Sequence, residues 1–184
     1  YEMSASLVGS EMCIRDRGIA LRSIAETKNP HIILHIVGGG NSLPYQVLAK
    51  ELGIEGQCKW YGAIPHEEVQ KIMQESDVFF FTSVAEGTPH VVLEAIGNNL
   101  PVICFNTCGQ GDSVNNKIGR KIELSTPQLS IQDFSKILNT LESNRDLLKE
   151  MAKNCQERQQ ELSWDKKVSQ MVELYKKTLQ EKKQ

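Results

Sequence analysis

Two glutamates with seven residues between them, Glu86 and Glu94, carry the most specific chemistry in the chain. A strand-like run, Asp77-Val78-Phe79-Phe80-Phe81, leads to them, a polar turn follows, and a helix-like run begins near Pro89. One carboxylate therefore sits on the turn before a helix and the other within its first two turns. Such a junction offers a ligand free backbone N–H groups. Carboxylates do not neutralise phosphate, but they accept strong hydrogen bonds from hydroxyls. A molecule with hydroxyls at both ends and a diphosphate between them, such as a nucleotide sugar, suits both halves of the junction. The plain alternatives are a surface turn carboxylate at Glu86 and a carboxylate stabilised by the helix dipole at Glu94.

The elements that would position this junction alternate between helix and strand. From Gly18 onward, amphipathic helices are predicted over residues 19–27, 43–52, 65–75 and 89–97. Short apolar strands are predicted over residues 32–37, 58–61, 77–81, 101–105 and 120–123. The run Ile32-Ile33-Leu34-His35-Ile36-Val37 is nearly all apolar, as in a parallel strand covered on both faces. Three helical segments close the chain, over 130–141, 145–160 and 164–179, with Asn144 and Ser163 as N-caps. The pattern predicts an α/β fold: a Rossmann-like, doubly wound parallel sheet with a helical C-terminal tail. A (β/α)8 barrel needs eight strands and about 250 residues.

At 184 residues the chain is long enough for one domain with a substantial core. Its net charge of −2 and lack of a basic stripe argue against a nucleic-acid partner. Lys176-Lys177 and Lys182-Lys183 read as a solvated helix end. The five cysteines are odd in number and show no CxxC spacing, which favours a reduced setting with buried thiols. No metal site is expected, and no apolar run reaches transmembrane length. The expected location is cytoplasmic, with a peripheral place at the inner face of a membrane left open.

Gly38-Gly39-Gly40 follows the second predicted strand. It reads either as a flexible strand end or as a close approach of backbone to ligand. Leu43 stands where a GxGxxG motif needs its third glycine, so a nicotinamide-dependent oxidoreductase is disfavoured. The lysine of a phosphate-binding P-loop is also absent. His90 fits a pocket wall or helix start better than a proton-transfer role, and His66 fits an exposed first turn.

The run from Glu86-Gly87 to Glu94-Ala95, followed by Asn98-Asn99-Leu100-Pro101-Val102-Ile103, resembles the signature of the retaining GT-B glycosyltransferases of family 4, the glycosyl transferases group 1. Gly109 and Gly119 sit where that family usually has glycines, and Trp164 and Tyr175 resemble its closing aromatic helix. The resemblance covers roughly residues 18–180, and only the C-terminal half of such an enzyme. It implies a hexose-type sugar transferred from a nucleoside-diphosphate sugar, UDP by family frequency, to a glycan or lipid-linked acceptor with retention of configuration. It implies no cofactor and no metal, and an N-terminal GT-B domain as partner. Glu86 would be the catalytic carboxylate on the donor sugar, and Glu94 would hold the ribose hydroxyls. Gly87, Thr88 and His90 would line the donor, Gly38 and Gly40 would face the nucleotide, and Arg17 would stand in for a lysine at the diphosphate. The family often has Gly-Phe-Gly after the first glutamate; here Gly87-Thr88-Pro89-His90 puts side chains into that wall. Ser10 stands where the family has a phosphate-loop arginine. A sugar-nucleotide binding module without catalysis, or another GT-B enzyme such as an epimerase, is the alternative.

The expected division is a doubtful N-terminal segment at residues 1–17, a nucleotide-sugar-binding domain at 18–162, and a crossover helix and tail at 163–184. Within the first segment only residues 5–8 read as strand, and the run from Val8 to Arg17 resembles a translated sequencing adapter. The missing methionine start fits a truncated chain.

Overall fold

The computed structural model describes residues 2–8, 14–85 and 89–181. The strands are β1 (Met3–Val8), β2 (Ile32–Val37), β3 (Cys58–Gly62), β4 (Val78–Phe81), β5 (Val102–Phe105) and β6 (Gly119–Ile122). They form one sheet in the order β3-β2-β1-β4-β5-β6, and every pairing is parallel. The helices are α1 (Ile14–Thr27), α2 (Leu43–Glu51), α3 (His66–Glu75), α4 (His90–Gly97), α5 (Cys108–Ser113), α6 (Pro127–Ser143), α7 (Arg145–Glu161) and α8 (Trp164–Glu181). The doubly wound parallel sheet that the alternation predicts is present.

Side chains alternate across the sheet, so each strand feeds two cores. Ala5, Leu34, Phe80 and Ile103 pack with Leu21 and Ile24 of α1 and with Phe134, Leu138 and Leu141 of α6. Phe79, Phe81, Val102 and Cys104 pack on the other side with Ile72 and Met73 of α3 and with Val92 and Ile96 of α4. Helix α7 contributes Leu148 and Met151 to the first core and Cys155 to the second. Helices α6 and α7 are thus built into the domain, and only α8 has the character of a tail. The N-caps expected at Asn144 and Ser163 form: their side-chain oxygens accept from the N–H groups of Leu147 at 3.1 Å and Lys166 at 3.4 Å.

Strand β1 lies between β2 and β4, inside the segment set apart at residues 1–17. It is two residues longer than its hydrophobic pattern suggests, with Met3 and Ala5 fully buried and Ser6 also buried on the opposite face. Asp77 fixes its start. The Asp77 carboxylate accepts from Ser4 N–H at 2.8 Å and pairs with Arg145 of α7 at 3.2 Å. The strand order reverses between β1 and β4, which opens a crevice outside the carboxyl ends of those strands. Open α/β sheets bind ligands there.

His35 on β2 supplies a test of packing at the sheet edge. Its Nδ1 lies 2.9 Å from the Tyr61 hydroxyl, the rings stack at 5.7 Å, and its Nε2 is buried without a partner. Burial pushes its pKa below the ordinary histidine value, Lys59 pushes the same way, and Glu75 opposes them. The unfolded chain therefore takes up a proton that the fold resists. The stability that His35 contributes is full above about pH 6.5 and is lost as pH falls through the lower folded value. Thermal unfolding of the wild type between pH 8 and 5 should show this loss, and His35→Gln should flatten that part of the profile. Parallel profiles for the two proteins would contradict it.

Candidate functional site

Strand β4 delivers the chain to the crevice, and Thr82 and Ser83 are buried just beyond its end. Glu86, Gly87 and Thr88 lie outside the described residues. On the far side of that turn Pro89 is buried and α4 begins at His90. Pro89 has neither an N–H nor a side-chain acceptor, and α4 starts without a side-chain cap. Among the described residues no side chain caps the positive end of this helix.

His90 is exposed on the first turn of α4, and Glu94 is half-buried one turn later. Glu94 Oε2 accepts from Gln70 Nε2 of α3 at 3.4 Å. Asn98 Nδ2 donates to Gln70 Oε1 at 2.5 Å and to the Glu94 main-chain oxygen at 2.9 Å. The short contact orients Gln70, whereas the long one leaves the Glu94 carboxylate loosely held. A ligand hydroxyl can compete for it. His66, Gln70, His90, Glu94, Asn98 and Gln159 line an open groove of about 470 Å³ between α3, α4 and the end of α7. Its lining suits a polar ligand rich in hydroxyls.

Gly38, Gly40 and Arg17 assemble separately, on the β2 side of the crevice. Gly38 has φ 131° and Gly40 has φ 92°, in the region that favours glycine. Gly38 N–H donates to Gly62 O at 2.8 Å, which ties the turn to the end of β3. Arg17 is buried at 6% exposure. Its Nη2 donates to Gly39 O at 2.9 Å, and its guanidinium lies 5.9 Å from the centroid of the Tyr45 ring. The guanidinium thus holds the glycine turn through its main chain. The strand order sets β1 between this group and the α4 groove.

Sequence periodicity passes over three contributors. Gln70 and Asn98 hold Glu94, but an amide on a helix surface leaves no spacing pattern to detect. Helix α5 follows β5 and is interrupted in sequence by Gly109 and Gly111, which hides it. Its start places Thr107 and Cys108 against the main chain of Val84, with oxygen and sulfur 3.4 Å and 3.9 Å from Val84 O. Burial pushes the thiols of Cys104 and Cys155 up to about 12 and that of Cys58 up to about 11, so these three stay protonated at neutral pH. Among the described residues no group of three or more His, Cys, Asp or Glu is placed to hold a metal ion. Among the same residues no helix is long and apolar enough to cross a membrane.

The family model for glycosyl transferases group 1 matches residues 19–158. Over 109 residues the chain is 37% identical to a lipopolysaccharide 1,6-galactosyltransferase of Salmonella typhimurium strain LT2, a match that takes in 58% of this chain and 30% of that protein. Sucrose-phosphate synthase from Thermosynechococcus elongatus is similar in fold, with a TM-score of 0.76 at 22% identity, over 97% of this chain and 46% of that one. The C-terminal domain of a glycosyl transferase group 1 family protein from Francisella tularensis gives a TM-score of 0.72 at 19% identity, over 85% of this chain and 83% of that one. The chain spans between 20% and 42% of the length of the curated relatives it matches.

Proposed function

The chain belongs to the glycosyl transferases group 1 family, and from that membership we propose that it is the donor-binding half of a hexosyltransferase. The donor is a nucleoside-diphosphate sugar, with UDP favoured, and the acceptor is a glycan or lipid-linked hydroxyl. Transfer retains anomeric configuration. The reaction belongs in the cytoplasm, at the membrane face where a lipid-linked acceptor is presented. The galactosyltransferase of Salmonella typhimurium, which by its name acts on lipopolysaccharide, supports this class of acceptor.

The observation that carries the reading is the position of Glu94, one turn into a helix that no described side chain caps, beside the crevice and loosely held by Gln70. In this proposal Glu94 accepts from both ribose hydroxyls, and the N–H groups at the start of α4 face the diphosphate. Glu86, with Gly87, Thr88 and His90, takes the sugar. Gly38 and Gly40 let the nucleotide approach the backbone. The N-terminal half supplies the acceptor wall. Charge grows on the leaving diphosphate during transfer, so donors and cations aimed at it lower the barrier.

One observation favours the second reading, a binding module without transfer. Arg17, the cation matched to the diphosphate, is engaged with Gly39 O and the Tyr45 ring. Titrating the chain with UDP, UDP-sugars and GDP-sugars tests the binding that both readings share. Glu94→Asp retracts the carboxylate by one methylene and should weaken nucleotide affinity roughly tenfold, the scale of one charge-assisted hydrogen bond. Unchanged affinity in that variant would remove Glu94 from the site. Binding without transfer, in a protein that also contains the N-terminal half, would favour the module.

A further inference from the structure

Gln110 is fully buried in α5. Its Nε2 donates to Ser83 O at 3.1 Å and to Thr107 Oγ1 at 2.9 Å. Thr107 Oγ1 in turn donates to Val84 O at 3.4 Å. The Ser83 carbonyl can only accept, so flipping the amide would face Oε1 against that oxygen. Its Oε1 is then left buried with no hydrogen-bond partner. A leucine of similar volume would remove this acceptor, and it would also take the Nε2 donor away from Ser83 O and Thr107 Oγ1. The amide, directly and through Thr107, ties two consecutive carbonyls, those of Ser83 and Val84, to the turn that follows β5. Those carbonyls belong to the backbone that runs out of β4, and Val84 stands two residues before Glu86 in sequence.

We propose that Gln110 is a positioning residue for the sugar end of the donor site, acting through the Ser83–84 backbone. The proposal rests on the donor-site reading above. Gln110 touches no ligand. It fixes the direction in which the chain leaves β4, and Thr107 relays the same restraint to the next carbonyl. Such restraint affects the part of the donor held by the β4–α4 turn. The nucleotide, held by Glu94 and the start of α4, is left alone. A purely structural role lowers nucleotide and sugar-nucleotide affinity alike on apolar replacement, whereas a positioning role lowers the sugar increment alone.

The test uses the full 184-residue chain. Affinities are measured by calorimetry for UDP and GDP, and for UDP-glucose, UDP-galactose, UDP-N-acetylglucosamine and GDP-mannose. The sugar increment is the ratio of affinity for the best-bound nucleotide sugar to that for its nucleoside diphosphate. Gln110→Leu is expected to keep the nucleoside diphosphate affinity and to lose about tenfold of the sugar increment. Thr107→Val, which removes only the relay hydroxyl, is the second variant and should lose a smaller part of the increment. A Gln110→Leu protein that keeps the full increment overturns the proposal, as does one that melts well below the wild type and loses nucleotide and sugar nucleotide affinity alike. If Gln110→Leu does not fold, an unchanged increment in Thr107→Val overturns it. A wild type that binds UDP and UDP-sugars equally also overturns it, because the segment then contributes nothing to the sugar. A wild type that binds none of these nucleotides rejects the donor-site reading itself.

Discussion

Phe134→Ala is expected to destabilise the domain by about 3–5 kcal/mol, the cost of deleting a fully buried aromatic side chain. Phe134 is 0% exposed, although it lies on α6 beyond the last strand. Its ring meets Phe80 of β4 edge-on at 5.0 Å and Phe105 of β5 edge-on at 4.9 Å. Each such pair adds about 0.5–1.5 kcal/mol beyond the buried area. The ring therefore locks α6 onto neighbouring central strands, and its removal opens a void where helix and sheet meet. Typical domains are stable by only about 5–15 kcal/mol, so this one change consumes a large fraction of the total. Leu129→Ala, on the same helix but at a residue 50% exposed, should change stability by no more than about 0.5 kcal/mol. Urea unfolding of the two variants and the wild type measures the contrast. A loss below about 1 kcal/mol for Phe134→Ala would mean that α6 is peripheral to the core.

That role for α6 explains where sequence periodicity stops. A 3.6-residue pattern says that a helix has an apolar face, not what covers it. The three helical segments after β6 show apolar faces alike in sequence, while in the structure α6 and α7 complete both cores. Strands fared better because burial on two faces leaves a continuous apolar run. Residues 32–37 match β2 from end to end, and β4 and β5 start one residue later than expected. The start of β6 moves the other way, to Gly119, for a reason invisible in one strand alone: a Cβ there would lie 2.1 Å from Val102 O of β5. In β1, Ser4 and Ser6 mask the alternation, although Met3, Ala5 and Leu7 keep it.

At the site, the glutamate spacing and the strand-turn-helix junction are legible because both are local. Long-range partners are not. Gln70 lies 24 residues from Glu94, and Gln110 lies 27 residues from Ser83. Nothing in a single sequence records such a pairing. Arg17 illustrates the same gap. Its charge suggests an anion, but only the folded chain sets it against a main-chain oxygen and a tyrosine ring.

The 184-residue chain alone is expected to bind donor and to transfer no sugar. The family membership and the size of its relatives motivate this: the match to the Salmonella typhimurium galactosyltransferase takes in 30% of that protein, and the match to the sucrose-phosphate synthase takes in 46% of that one. In the proposed reading the reaction occurs in a cleft between two domains, which orients donor and acceptor and excludes water. This chain provides one wall. Helix α8 agrees with a missing second surface. Val168, Met171, Val172, Tyr175 and Leu179 recur at helical spacing along one side, each 43–62% exposed. Trp164 at its start is 82% exposed. A stripe of that kind in water is a docking surface or an aggregation hazard. Incubating the purified chain with labelled UDP-sugars and a broad set of lipid and glycan acceptors should give product at the buffer blank. The same assay on a protein that also carries the N-terminal half should give turnover, and Glu86→Ala in that longer protein should abolish it. Turnover by the 184-residue chain alone, lost on changing Glu86, would show that one wall suffices and that the cleft argument is wrong for this enzyme.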